Sequence, residues 1–190
     1  MTRRPAVFLD RDGVLNEAFV EGGKPAPPRD PAQFRILPGV IEACSAFAAQ
    51  GLALVVVTNQ PDVARGTLRR TELEAMHAIL RESLPLDEIL VCDHDDADGC
   101  PCRKPRPGMI LDAAQRLRLD LNRSVAVGDR WRDIDAARRA GVHAVHIEWD
   151  HGETLHTPPD ATFSSLFQAS EHILAFTTSA PRPRARETTA

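Results

Sequence analysis

Short apolar runs recur along this chain of 190 residues, at 6–9 (AVFL), 52–57 (LALVVV), 89–91 (ILV), 124–127 (SVAV) and 144–147 (AVHI). Each is brief, rich in branched side chains and apolar at nearly every position, so each predicts a strand buried on both faces. Between them apolar residues return every three or four positions, which predicts helices over 39–50, 71–84, 107–117, 133–140 and 165–175. Gly51 and Gly141 supply stop signals behind two of these. Strands alternating with helices mean βαβ units: an α/β fold of three layers, with a mostly parallel sheet between two layers of helices.

Two stretches break the alternation. Residues 17–38 carry Pro25, Pro27, Pro28, Pro31 and Pro38 with Gly22 and Gly23 between them, which predicts a loop too short and too interrupted to form a domain of its own. From Thr177 onward the chain is polar and proline-bearing, so a single domain is expected over 1–176 and a solvated tail over 177–190. The apolar fraction of 43% suffices for one core. No apolar run approaches the roughly 18 residues that span a bilayer, and the apolar stretch behind Arg3 and Arg4 is too short for a signal peptide. A cytoplasmic monomer is expected. A net charge of -4 and a pI near 6.0 argue against binding nucleic acid or an anionic membrane by bulk electrostatics.

In open α/β sheets ligands bind beyond the carboxyl ends of the strands, and the polar residues of interest cluster there. Asp10 and Asp12 follow the first run, Thr58 the second, Lys104 a loop after the third, Asp129 the fourth. The first strand is expected to stay extended through these residues, so that its period of two sends Asp10 and Asp12 to one side and Arg11 to the other. A rim with acids, a hydroxyl and a lysine suits nucleophilic attack by a carboxylate, retention of a divalent cation and neutralisation of phosphate oxygens.

The segments FLDRDGV, VVVTNQ, CRKPRPGM and VGDRWRDIDAARRAG, in this order, resemble the four motifs of the haloacid dehalogenase superfamily. The resemblance spans residues 6–147 and implies a Rossmann-like sandwich; neither inter-motif gap has room for the cap domain that many members carry. It implies a phosphatase in which Asp10 is the nucleophile and Asp12 the general acid and base. Thr58 would bind a phosphoryl oxygen, and Lys104 would offset charge between nucleophile and phosphate. Mg²⁺ would be held by Asp10, the backbone carbonyl of Asp12 and Asp129. Asp133, the second acid of the last motif, either reaches that metal through water or caps the next helix.

Of four cysteines, Cys44 sits among alanines and reads as core, while Cys92, His94, Cys100 and Cys102 offer three thiolates and an imidazole. That is a full tetrahedral set for Zn²⁺ with no open position, so the zinc is expected to shape its loop, 92–102, and leave the chemistry to others. The set resembles the zinc loop of the branch that contains heptose bisphosphate phosphatases and the phosphatase part of histidine biosynthesis. This implies a small phosphorylated metabolite as partner, a heptose bisphosphate first and histidinol phosphate second. A catalytically silent phosphosugar-binding module is the reading from another class, which the intact Asp10 and Asp12 pair disfavours. Arg103 and Arg130 are expected to meet the second phosphate, and Asn59, Gln60 and Pro61 to line the sugar side. His77, His143 and His146 are expected to be ordinary packing residues.

Overall fold

A computed structural model of the chain describes residues 3–21, 24–149 and 153–179. Gly22, Gly23, Asp150, His151 and the expected tail from residue 180 lie outside them.

The five predicted strands are present as β1 (Ala6–Leu9), β4 (Ala53–Asn59), β5 (Glu88–Cys92), β6 (Val125–Gly128) and β7 (His143–Ile147). The helices are α1 (Val40–Ala49), α3 (Arg70–Ser83), α4 (Gly108–Arg116), α5 (Trp131–Ala140) and α6 (Leu166–Thr178), with a single turn, α2 (Pro61–Ala64), directly behind β4. Helix α6 outruns its expected end at 175, and its buried Thr177 falls inside the stretch expected as tail. No described helix is long and apolar enough to cross a membrane.

Two features have no counterpart in the apolar pattern. A sixth strand, β8 (Ala161–Phe163), pairs in parallel with β7 at the sheet edge, where only one face needs apolar side chains. The proline-rich stretch carries a hairpin of β2 (Phe19–Glu21) and β3 (Lys24–Ala26). A two-stranded ribbon consists of edges alone, and an edge is where a residue without an N–H is tolerated.

The main sheet has the order β5-β4-β1-β6-β7-β8, and all its pairs are parallel. Alternate residues feed two cores. Val7, Leu9, Leu54, Val56, Val125 and Val127 pack with Phe47 of α1, Leu73 of α3 and Ile173 of α6. Ala6, Phe8, Val55, Val57 and Ala126 pack on the opposite face with Ile110 of α4 and Ile134 of α5. Each fully buried side chain of this size contributes roughly 1.5–3 kcal/mol, so runs of buried residues on both faces hold the strand ends in place.

From β1 the chain builds outward through β4 and β5, then returns across the sheet to β6 on the other side of β1. The order therefore reverses between β1 and β6, and the crevice beyond that reversal is where an open parallel sheet binds its ligand.

Candidate active site

Asp10 leaves β1 at this reversal, its N–H still bonded to the Val127 carbonyl of β6 (2.9 Å). Its Oδ1 accepts from the Arg11 N–H and from Lys104 Nζ, both at 2.8 Å. Lys104 Nζ also lies 2.5 Å from Asp133 Oδ1, while Asp133 Oδ2 accepts the Arg130 N–H at 3.0 Å and so caps the first turn of α5. Asp133 thus serves helix end and site together. Burial raises the Asp10 carboxyl to about 6, helped by the Asp133 charge and opposed by Lys104. Burial raises Asp133 as well, against Lys104 and with Asp129. Burial alone would lower Lys104, but the two carboxylates hold it above its ordinary value, so it stays an ammonium ion.

Oxygen atoms of Asp10, Asp129 and Asp133 all lie within 4.8 Å of one another. Glycines make the room. A Cβ on Gly13, whose φ is +84°, would stand 2.4 Å from Asp129 Oδ2, and one on Gly128 would stand 2.1 Å from Asp133 Cβ. Three buried acids with one lysine are short of positive charge, and an all-oxygen set of this kind fits a hard divalent cation.

Asp10 and Asp12 reach one cleft, as expected, but Arg11 departs from the strand-period expectation. β1 stops at Leu9, and the fully buried Arg11 does not point away. Its guanidinium turns back so that Nε and Nη2 lie 2.9–3.2 Å from both oxygens of Asp12. Asn16 Nδ2 (3.0 Å) and Gln60 Nε2 (2.8 Å) complete the grip. Behind it, Arg11 Nη1 lies 3.4 Å from His77 Nε2, and burial together with Arg11 and Arg81 pushes His77 down to about 3. A neutral ring can accept from the guanidinium.

Thr58 is buried, and its Oγ1 accepts from Gln60 Nε2 at 2.9 Å. Asn59 clamps the lysine loop through both amide atoms, Nδ2 to the Lys104 carbonyl (3.0 Å) and Oδ1 from the Lys104 N–H (3.1 Å). Asp10, Asp12, Thr58, Asn59, Pro61, Lys104, Asp129, Arg130 and Asp133 line one cleft of ≈ 230 Å³, joined by Arg65 and Arg132. Gln60 and Arg103 are not among its lining residues. Gln60 donates its Nε2 to Asp12 and Thr58. Arg103 donates from Nε to Asp96 (2.7 Å) and from Nη1 to the His94 carbonyl (3.2 Å).

The thiol set gathers at the end of β5. Cys92 and Cys102 Sγ lie 3.4 Å apart, Cys100 Sγ lies 3.6 and 3.4 Å from them, and His94 Nδ1 lies 3.6 and 3.5 Å from Cys92 and Cys102. No pair is a disulfide. Ligands about 2.0–2.3 Å from a tetrahedral zinc stand about 3.5–3.8 Å from each other, so the four atoms fit that ion. Asp95 from the same loop takes Arg65 by two hydrogen bonds of 2.7 Å.

Several contributors were not expected from the sequence: Arg11, Asn16 and His77 behind Asp12, and Arg65 and Arg132 at the cleft. His146 is another, since its Nε2 lies 3.1 Å from the Asp129 carbonyl and, a carbonyl only accepting, donates to it. The one available signal was polarity next to the first motif, at Arg11 and Asn16.

A family model described as haloacid dehalogenase-like hydrolase matches residues 29–141, taking in Thr58, Lys104, Asp129 and Asp133. The chain is 38% identical over 154 residues to the D-glycero-beta-D-manno-heptose-1,7-bisphosphate 7-phosphatase of Bordetella bronchiseptica, covering 77% of this chain and 82% of that one. It is also 38% identical over 150 residues to the enzyme of that name from Escherichia coli K12, covering 73% and 75%. The crystal structure of D,D-heptose 1,7-bisphosphate phosphatase from B. bronchiseptica with magnesium and phosphate superposes with a TM-score of 0.77 at 32% identity, over 90% of this chain and 98% of that one. A HAD-like phosphatase from Mesorhizobium loti gives 0.75 at 31% identity, over 96% and 90%.

Proposed function

Since the chain belongs to the haloacid dehalogenase-like hydrolase family, we propose that it removes the 7-phosphate of D-glycero-D-manno-heptose 1,7-bisphosphate through a covalent phosphate on Asp10. The observation that carries the reading is the Asp10, Lys104 and Asp133 arrangement at the sheet reversal, with contacts of 2.8 and 2.5 Å. Relatives of that activity over most of the chain support the substrate.

The Lys104 ammonium and the Arg11 N–H fix the orientation of the Asp10 carboxylate, which attacks phosphorus as the bond to the sugar oxygen breaks. Asp12 gives that oxygen its proton. In the second half Asp12 takes a proton from a water that attacks the aspartyl-phosphate, releasing phosphate and restoring Asp10. The Thr58 hydroxyl binds a phosphoryl oxygen, and Lys104 offsets charge shared between carboxylate and phosphate. Asp10, Asp129, Asp133 and the Asp12 carbonyl would hold Mg²⁺, which supplies the positive charge that lets a carboxylate approach a phosphate dianion. Cys92, His94, Cys100 and Cys102 would hold Zn²⁺ as a structural ion beside Lys104.

Phosphate release is the test, with Mg²⁺ and with both anomers of the heptose bisphosphate, histidinol phosphate and a panel of sugar phosphates, and with Asp10→Asn as the blank. A preference for the heptose bisphosphate that disappears in the blank is expected. Turnover of other phosphates alone would discard the heptose and keep the chemistry; turnover of none would leave a binding module.

A further inference from the structure

The cleft of ≈ 230 Å³ falls below the roughly 300 Å³ at the low end of small-molecule sites. A sugar bisphosphate with one phosphate at Asp10 therefore leaves its other end at the mouth, and a dianion there requires a cation. Four cationic side chains line the cleft: Arg65, Lys104, Arg130 and Arg132. Three are committed. Lys104 lies between Asp10 and Asp133, Arg65 is doubly bonded to Asp95, and Arg130 pairs with Glu153. Among the described residues Arg132 makes no ion pair with a carboxylate. The acid its charge acts on, Asp96, already accepts from Arg103.

Arg132 is held all the same. Its guanidinium lies over the Trp131 ring, 4.5 Å from the centroid, and Trp131 in turn packs against His156, with centroids 3.9 Å apart and ring planes tilted by 33°. The cation–π contact holds the guanidinium from the ring side and leaves its N–H groups for a partner, which suits bidentate capture of a phosphate. Resting on the bisphosphate reading above, we infer that Arg132 is the specificity-determining residue that takes the phosphate remote from the scissile one, the role the sequence suggested for Arg103 and Arg130.

Steady-state kinetics on the heptose 1,7-bisphosphate and the heptose 7-phosphate test this, for the wild type, Arg132→Ala and Arg132→Lys. Losing a charge-assisted contact predicts that Arg132→Ala lowers the preference in kcat/KM for the bisphosphate by about 10- to 100-fold, chiefly through KM. Arg132→Lys, with the charge but without the fork of donors, is expected to fall between. If the wild type prefers the bisphosphate and Arg132→Ala keeps that preference, or loses both substrates equally, the assignment is overturned while the substrate reading stands. A wild type with no preference for the bisphosphate overturns the substrate reading, and the assignment falls with it.

Discussion

The acid cluster and the thiol cluster sit on the same rim of the sheet and are assembled in opposite ways. Asp10, Lys104, Asp129 and Asp133 come from sites far apart in the chain, held by β1, β6, the start of α5 and the Asn59 clamp on Lys104. Their counter-charge is partly built in, because Lys104 stands between two of the acids. Cys92, His94, Cys100 and Cys102 lie within eleven residues of one loop, which has a single 3-10 turn at Asp96–Asp98, and no cation is part of the set. Sulfur atoms 3.4–3.6 Å apart would repel once ionised, and a metal ion bound among them would make that geometry favourable. On the proposed reading the difference separates two uses of metal: the acid cluster, with Lys104 built in, is expected to fold without its ion, and the thiol cluster to depend on its ion for its shape.

The largest effect that can break this comparison is Asp10→Asn. The substitution keeps the shape and removes the nucleophile, so kcat is expected to fall by at least about 10⁴-fold. Stability should move the other way. The carboxyl held up to about 6 shows a buried charge that the folded cluster tolerates poorly, and a neutral amide relieves it. Thermal melting of the magnesium-free protein is expected at or above the wild-type temperature. A melting point well below it would mean that the acid cluster is itself structural.

Cys102→Ser is the converse and the next in size. With one ligand gone, zinc content by atomic emission should drop below one per chain, and the melting temperature should fall by roughly 10 °C, since structural zinc contributes folding energy. Activity should fall as well, because Lys104 follows Cys102 by two residues and Asp95 and Asp96 of the loop hold Arg65 and Arg103. A variant that loses zinc yet melts with the wild type would remove the distinction between the clusters.

The same contrast explains how much could be read from the sequence. The thiol set is local, so spacing alone exposed it. The acid set is dispersed, and it was legible because Asp10 and Asp129 follow apolar runs that have to be buried strands, while Lys104 and Asp133 stand at matching positions of the family motifs. What escaped depends on where backbones stop and how far long side chains reach. Arg11 was expected to point away because β1 was taken to continue, but the strand stops at Leu9 and the guanidinium folds back onto Asp12. Arg103 is in the expected place along the chain but donates to Asp96, a partner that no periodicity reveals. Strand β8 buries too little to leave an apolar signature, and the strands of the β2 and β3 hairpin, three residues each, are too short for one.

The smallest effect sharpens the comparison through proton linkage. In the metal-free fold Asp10 titrates at about 6 instead of its ordinary 3.8, with Asp133 raised beside it. Between those values the folded chain holds more protons than the unfolded one, so the cluster's contribution to stability declines as pH rises through the window, by about 3 kcal/mol for Asp10. His77 opposes this. Its ring is lowered from 6.5 to about 3, so the unfolded chain takes up the extra proton and stability declines as pH falls through nearly the same range. A bare melting curve against pH therefore mixes the two. The difference between melts with and without Mg²⁺ separates them, because His77 is common to both while protons and the cation compete for Asp10 and Asp133. At about ten times its Kd, Mg²⁺ should add about 1.4 kcal/mol at pH 7.5, roughly 3–6 °C, and less than half of that at pH 5. In Asp10→Asn the pH dependence of this gain should largely vanish, while in Cys102→Ser it should persist, because the thiol set has no part in it. A gain that is equal at both pH values in the wild type would mean that the cation binds somewhere other than the acid cluster.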